Sequence, residues 1–192
     1  MSHLMYLRLM ATDRVRVLRA TVRVLVRQPN APMDELAKAA GISRATLHRL
    51  VPSRNALVKQ LAELALADAR AAIERARPEQ GEPVAAVRRL VAELVPIADL
   101  WAFLMGENQI AGDPEMDQLW AELDLALIGL FRRGQESGAF RVELPAEFLT
   151  DALSSLLAGT GWAVQHGRLA AKDANRVLTE LLLNGAVRRN QS

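Results

Sequence analysis

At 192 residues, with 51% apolar and 24% charged side chains and only 8 prolines, the chain has the composition of a folded protein with a sizeable core and not of a disordered one. Zero cysteines exclude a disulfide framework and thiolate chemistry, three scattered histidines (His3, His48, His166) offer no metal-ligand spacing, and no apolar run reaches membrane-spanning length. The net charge of +2 hides an asymmetry: residues 1–60 carry eleven Lys or Arg against three acids, +8, and the other 132 residues carry 13 basic and 19 acidic side chains, −6, so only the first part is expected to meet a polyanion.

Met1 to Thr12 holds Arg8 inside its hydrophobic segment and shows no small-residue cleavage pattern, so a soluble, cytoplasmic protein without a signal peptide is expected. Apolar residues then recur at helical spacing almost throughout, and the fold class reads as all-α. A first helix is expected from about Asp13 to Arg27, with Val17, Leu18, Thr21, Val24 and Leu25 on one face, ended by Gln28-Pro29-Asn30-Ala31-Pro32. A short second helix, Met33 to Ala40, stops at Gly41, and Ser43 caps a third that Pro52 ends after about two turns. Ser53 caps a fourth, unbroken from Arg54 to about Arg77. At 1.5 Å per residue such a helix is about 36 Å long and can bridge the basic module to the rest of the chain.

Pro78 to Pro83 reads as a loop, and Val84 to about Met105 as helical with a break at Pro96. Asp113 and Pro114 open a helix to about Gly134, Phe140 to Leu144 is extended or irregular, and two more helices complete the chain, Pro145 to His166 and Ala171 to Arg188. Asp113, Glu115, Asp117, Glu122 and Asp124 invite a metal or acid/base reading. A helix start favours acids in its first turn, however, and no histidine lies nearby, so neither a metal site nor catalysis is expected. No phosphate-cradling glycine loop and no nucleophile arrangement is recognisable, and no cofactor is expected.

Between Leu36 and Val51, Leu36, Ala37, Ala40, Ile42, Leu47 and Val51 are placed to pack two helices across a tight turn at Gly41. Their outward face carries Arg44, Ala45, Thr46, His48 and Arg49. In a major groove the arginines suit guanine, and Ala45 with the Thr46 methyl suits thymine. The run Leu36 to Leu57 resembles the DNA-binding region of the tetracycline-repressor-like (TetR) family of bacterial transcriptional regulators. That resemblance covers about residues 13 to 62; beyond it the chain is similar to the family in length, helix count and the Gly-rich segment Arg133 to Gly138. It implies a helix-turn-helix domain over residues 1–60, and a helical ligand-binding and dimerisation domain over residues 61–192. DNA contacts are then expected from Ser43, Arg44, Ala45, Thr46, His48, Arg49, Arg54 and Lys59, with Arg14 and Arg16 contributing less. The sequence departs from the family pattern at Ala31-Pro32, where a hydroxyl pair is usual, at His48 in place of a Tyr, and at Leu50-Val51 in place of His-Phe.

In the remaining two thirds, large apolar and aromatic side chains gather beside amides in Leu100 to Gln109, with Trp120 and Leu123 further on. A cavity lined by Trp101, Leu104, Met105, Asn108, Gln109, Trp120, Leu123 and Leu127 would hold a mostly apolar small molecule, although each aromatic taken alone also suits a plain core. Ala152, Ser155, Gly159 and Ala163 form a stripe of small residues, and Ala174, Leu178, Leu181 and Gly185 one side of the last helix. A four-helix interface between two copies is expected there, with an intramolecular contact as the alternative. The reading is a homodimeric regulator, more a repressor than an activator by resemblance, that binds a near-palindromic double-stranded operator and answers to a small-molecule effector. The alternative is a ligand-binding or protein-interaction module of the same fold with weak or no specific DNA binding.

Overall fold

The computed structural model describes the backbone of residues 3–107 and 114–187, with side chains from residue 14 onward except at residue 115. Asn108 and Gln109, expected in the cavity wall, and Asp113, expected as a cap, lie outside the described residues. The described chain forms α1 (His3–Leu25), α2 (Met33–Ala39), α3 (Arg44–Leu50), α4 (Arg54–Ala76), α5 (Pro83–Leu94), α6 (Ala98–Met105), α7 (Pro114–Glu136), α8 (Ala146–Gln165) and α9 (Ala174–Ala186). Among the described residues, the one pairing of extended backbone is an isolated antiparallel bridge between Phe140 and Val187. The largest difference from the expected boundaries is α1, which begins ten residues before Asp13. His3 to Thr12 contains neither Gly nor Pro, so nothing interrupts the helical register there.

The breaks fall where backbone chemistry puts them. Gly41 adopts φ +68°; its N–H bonds the Lys38 carbonyl at 3.1 Å and the Ile42 N–H reaches back to Ala37 at 3.0 Å, closing α2 with the six-to-one bond of a left-handed helix end. The hydroxyl of Ser43 accepts from the Thr46 N–H at 3.1 Å, and that of Ser53 from the Ala56 N–H at 3.1 Å, so α3 and α4 both start on a side-chain cap. Pro96 converts the expected break into a 3₁₀ turn, Val95–Ile97, that leads directly into α6.

A continuous core runs from Val17 to Ala186 and includes Leu36, Leu47 and Val51 of the helical hairpin. α4 packs against α1, α5, α6 and α7; Arg14 and Arg19 of α1 reach Gln60 and Asp68 in its middle. Nine apolar residues of α4, among them Leu57, Leu61, Ala65 and Ala72, are buried along it. The tightest approach is between α6 and α8: a β-carbon added at Gly161 would stand 2.2 Å from the carbonyl oxygen of Ala98. At Gly134 the place of the missing β-carbon is taken by the ring of Phe140, whose centre lies 5.7 Å from that of Phe131. Among the described residues, no helix is long and apolar enough to cross a membrane.

Candidate functional site

The hairpin α2–α3 turns its apolar residues into the core and leaves one polar face outward. Leu47 and Val51 are wholly buried, while Ser43, Arg44, Ala45, His48 and Arg49 are exposed and Thr46 is half-buried. Thr46 is held by its own cap, its hydroxyl lying 2.9 Å from that of Ser43, and the Arg49 guanidinium donates to it at 3.4 Å. Arg44 pairs with Asp34 at 3.1 Å, but both side chains are more than half exposed. Such a pair contributes little and can be exchanged for phosphate or a base edge at little cost. Gln60 fixes how α3 sits: its amide donates to the Leu50 carbonyl at 3.2 Å and accepts from Arg14 at 3.1 Å, tying the end of α3 to α4 and α1. Lys59 is exposed one position before Gln60. Val51, one of the departures from the family pattern, fills core space in place of an aromatic ring.

Arg54 differs from expectation. Its guanidinium, only 28% exposed, donates to Glu107 at 3.1 Å and to the carbonyl of Pro29. It therefore joins the α1–α2 loop, the first residue of α4 and the residue two past the end of α6, and in this arrangement it is not presented for DNA. Glu107, 11% exposed, carries no signal in the sequence, because the two residues are 53 positions apart and no local pattern pairs them.

A cavity of about 490 Å³ lies among α6, α7 and α8. Trp101, Leu104, Met105 and Trp120 give it apolar lining, and Asp124, Asp151, Ser154 and Ser155 polar lining, with Asp151 and Ser155 exposed. Trp101 and Trp120 meet edge to face, with ring centres 4.9 Å apart and planes at 82°. The indole N–H of Trp101 is buried and has no acceptor among the described residues. Burial raises the pKa of the Asp124 carboxyl above its usual value, and the neighbouring charge of Asp151 raises it further. Two of the expected lining residues are elsewhere: Leu127 is a core residue, and Leu123 faces a groove between α4 and α7. Each sits on α7 where the helix turns away from the cavity. Asp124 stands one position from Leu123 and points to the other side, which is not legible without knowing the rotation of α7. Among the described residues no group of three or more His, Asp or Glu could hold a metal ion.

On α8 the small-residue stripe faces outward: Ser155 is exposed, and Ala152, Gly159 and Ala163 are half-buried. Phe148 and Trp162 lie on the same stripe at spacings of four and three, and stand 58% and 41% exposed. Large apolar residues of this kind read as core in a sequence, which is why only the small members of the stripe are expected there. Leu181 of α9 is 58% exposed, whereas Leu178 is 1% exposed and belongs to the chain's own core. The expected α9 stripe is thus rotated by part of a turn, because α9 packs on α8 and α5 through Leu178, Leu182 and Ala186.

Comparison with known proteins agrees with this geometry. No protein-family profile matches the chain. Over 173 residues it is 32% identical to the HTH-type transcriptional regulator NfxB of Pseudomonas aeruginosa, an alignment spanning 89% of this chain and 92% of that protein. Over 165 residues it is 33% identical to the HTH-type transcriptional repressor LfrR of Mycolicibacterium smegmatis, spanning 85% of this chain and 82% of that one. Among solved structures, the TetR-like regulator LfrR in complex with proflavine superposes with a TM-score of 0.75 at 28% identity, covering 92% of this chain and 97% of that chain.

Proposed function

The chain belongs to the TetR-like family of helix-turn-helix transcriptional regulators, and from this premise we propose that it is a homodimeric repressor, not an enzyme, released from a near-palindromic operator by a small molecule with an apolar body. Residues 1–60 act as the reading head and residues 61–192 as the effector-binding and dimerisation part. Arg44, Ala45, Thr46, His48 and Arg49 read base edges, and Ser43 and Lys59 hold the phosphate backbone. The stripe Phe148, Ala152, Ser155, Gly159, Ala163 with Leu181 pairs with its copy on a second chain. One short α3 gives few base contacts, and two heads at a fixed spacing supply the rest.

The observation that carries the reading is the ion pair between Glu107 and Arg54. α6 brings Trp101, Leu104 and Met105 into the cavity, and two residues past its end Glu107 grips the first residue of α4, beside the head. A molecule that fills the cavity and prefers a different position of α6 thereby shifts the start of α4 and changes the spacing between the two heads. The solved complex of LfrR with proflavine supports a small-molecule effector for this architecture. Genomic fragments selected by the protein provide the operator for the test. Arg44→Ala with Arg49→Ala is expected to weaken binding by at least about tenfold and to relax base preference, since each bidentate contact is worth about 1–3 kcal/mol. Operator affinity unchanged in the double variant would refute α3 as the reader.

A further inference from the structure

Arg44 and Arg49 both stand exposed on the outward face of α3, but they have different neighbours. Arg49 reaches a neutral hydroxyl, that of Thr46, at 3.4 Å. Arg44 meets a carboxylate from another helix: its Nε lies 3.1 Å from Oδ1 of Asp34, and its Nη1 donates to Oδ2 at 3.4 Å. The one hydrogen bond of this pair uses Nη1, so the Nη2 amino group is left for another acceptor. A carboxylate within bonding distance of a base-reading arginine stands close to the duplex, where phosphate repels it unless its charge is matched. Asp34, 61% exposed, has Arg44 as that match. The pair adds little to folding stability, but it makes two uses of Arg44 on DNA unequal. If the guanidinium swings to a phosphate, Asp34 is left unmatched beside the duplex. If Arg44 stays beside Asp34 and turns its remaining donors to guanine O6 and N7, both charges stay matched.

We propose that Asp34 of α2 is a specificity-determining residue: it holds Arg44 for a guanine and withholds it from phosphate, so that unselected DNA is bound less tightly than the charge of the head alone would give. This rests on the reading of α3 as the DNA reader and extends it to α2, which that reading leaves without a part in choosing the sequence. Specificity is a difference between two affinities, and a contact made repulsive for the wrong partner enlarges it. Phosphate neutralisation supplies nearly all the affinity for unselected DNA, so withholding one arginine from it weakens that binding more than it weakens binding of the operator, where the same side chain meets a base. Residues 1–60 still carry a net +8, enough to bring the head to the duplex.

The test uses the full-length protein, an operator fragment selected from genomic DNA and a mixed-sequence duplex of the same length, with affinities from fluorescence anisotropy over a range of salt. Asp34→Asn, close in shape, is expected to bind the mixed duplex at least about fivefold more tightly, with a salt dependence steeper by about one phosphate contact, and to gain at most about twofold on the operator. Glu35→Gln, the same change of charge at an exposed neighbour, should raise both affinities alike and leave their ratio unchanged. In an Arg44→Ala background Asp34→Asn should also leave the ratio unchanged, because no guanidinium remains to be directed. A ratio that Asp34→Asn does not lower, a fall of equal size in Glu35→Gln, or a fall that persists without Arg44 overturns the inference. If Arg44→Ala weakens operator binding while Asp34→Asn leaves the ratio as it is, α3 remains the reader and only the part given to Asp34 falls. If the protein selects no fragment, or Arg44→Ala changes neither affinity, both fall.

Discussion

Asp124 and Gly134 show how much a single position on α7 can carry. The raised pKa of Asp124, caused first by burial and then by Asp151, means that the folded state holds its proton more tightly than the unfolded chain does. Its favourable contribution is therefore present at low pH and is lost as pH rises through the raised value, leaving a penalty at neutral pH. Asp124→Asn is expected to raise the thermal midpoint at neutral pH, and the difference from wild type should shrink as pH falls into the ordinary carboxylate range. Melting curves across that range check both the gain and its sign. At Gly134 a β-carbon would stand 2.0 Å from a ring carbon of Phe140, which is fully buried. Gly134→Ala should cost about 1–3 kcal/mol, as overpacking of a rigid ring does, measured as a lower urea midpoint with unchanged slope. Neither position is legible as special in the sequence. Gly134 reads as the end of a helix, and Asp124 as one more solvated acid on it.

The elements themselves are largely legible. Gly41, Ser43, Pro52, Ser53 and Pro83 are local signals whose effect on the backbone is decided within one turn, and the boundaries of α2 to α5 obey them. What local signals leave open is the rotation of one helix against another. Leu178 and Leu127, expected on working surfaces, are core, whereas Phe148, Trp162 and Asp151 face outward or into the cavity. A shift of one position along a helix turns a side chain by more than a quarter of a circle, and the partner helix decides which one is covered. The joint between α6 and α4 is of the same kind. Glu107→Gln is expected to leave effector affinity near its wild-type value while the effector weakens operator binding by a factor about five or more smaller than in wild type, a coupling loss of about 1 kcal/mol or more. Parallel titrations of effector alone and of effector on the operator complex separate the two quantities. The charge-reversed pair Arg54→Glu, Glu107→Arg should restore part of the response if the ion pair is what transmits it.

For the whole molecule, the proposed reading needs two heads held at one distance. The outward face of α8 presents Phe148 and Trp162 around residues small enough for close helix approach, and the proposed twofold interface is built on it. Phe148→Glu with Trp162→Glu is expected to give a folded monomer at about micromolar concentration, by sedimentation, and to lose about 100-fold or more in operator affinity as one of two linked heads is lost. A double variant that stays dimeric would place the interface elsewhere. The segregation of charge, +8 in residues 1–60 and −6 in the rest, has a counterpart at this scale. The acidic part carries a net charge that DNA repels, which on the proposed reading favours approach by the basic part.

α8 has no idle side. Asp151, Ser154 and Ser155 line the cavity, Gly161 is pressed against the backbone of α6, and Phe148, Trp162 and Ser155 itself face outward. On the proposed reading, a substitution on this helix alters ligand preference and self-association together, and selection for a new effector through α8 would risk losing the dimer. On the same reading, a change of effector is easier through α6 and α7, where Trp101, Met105 and Trp120 can change the shape of the accepted molecule while the proposed interface stays as it is.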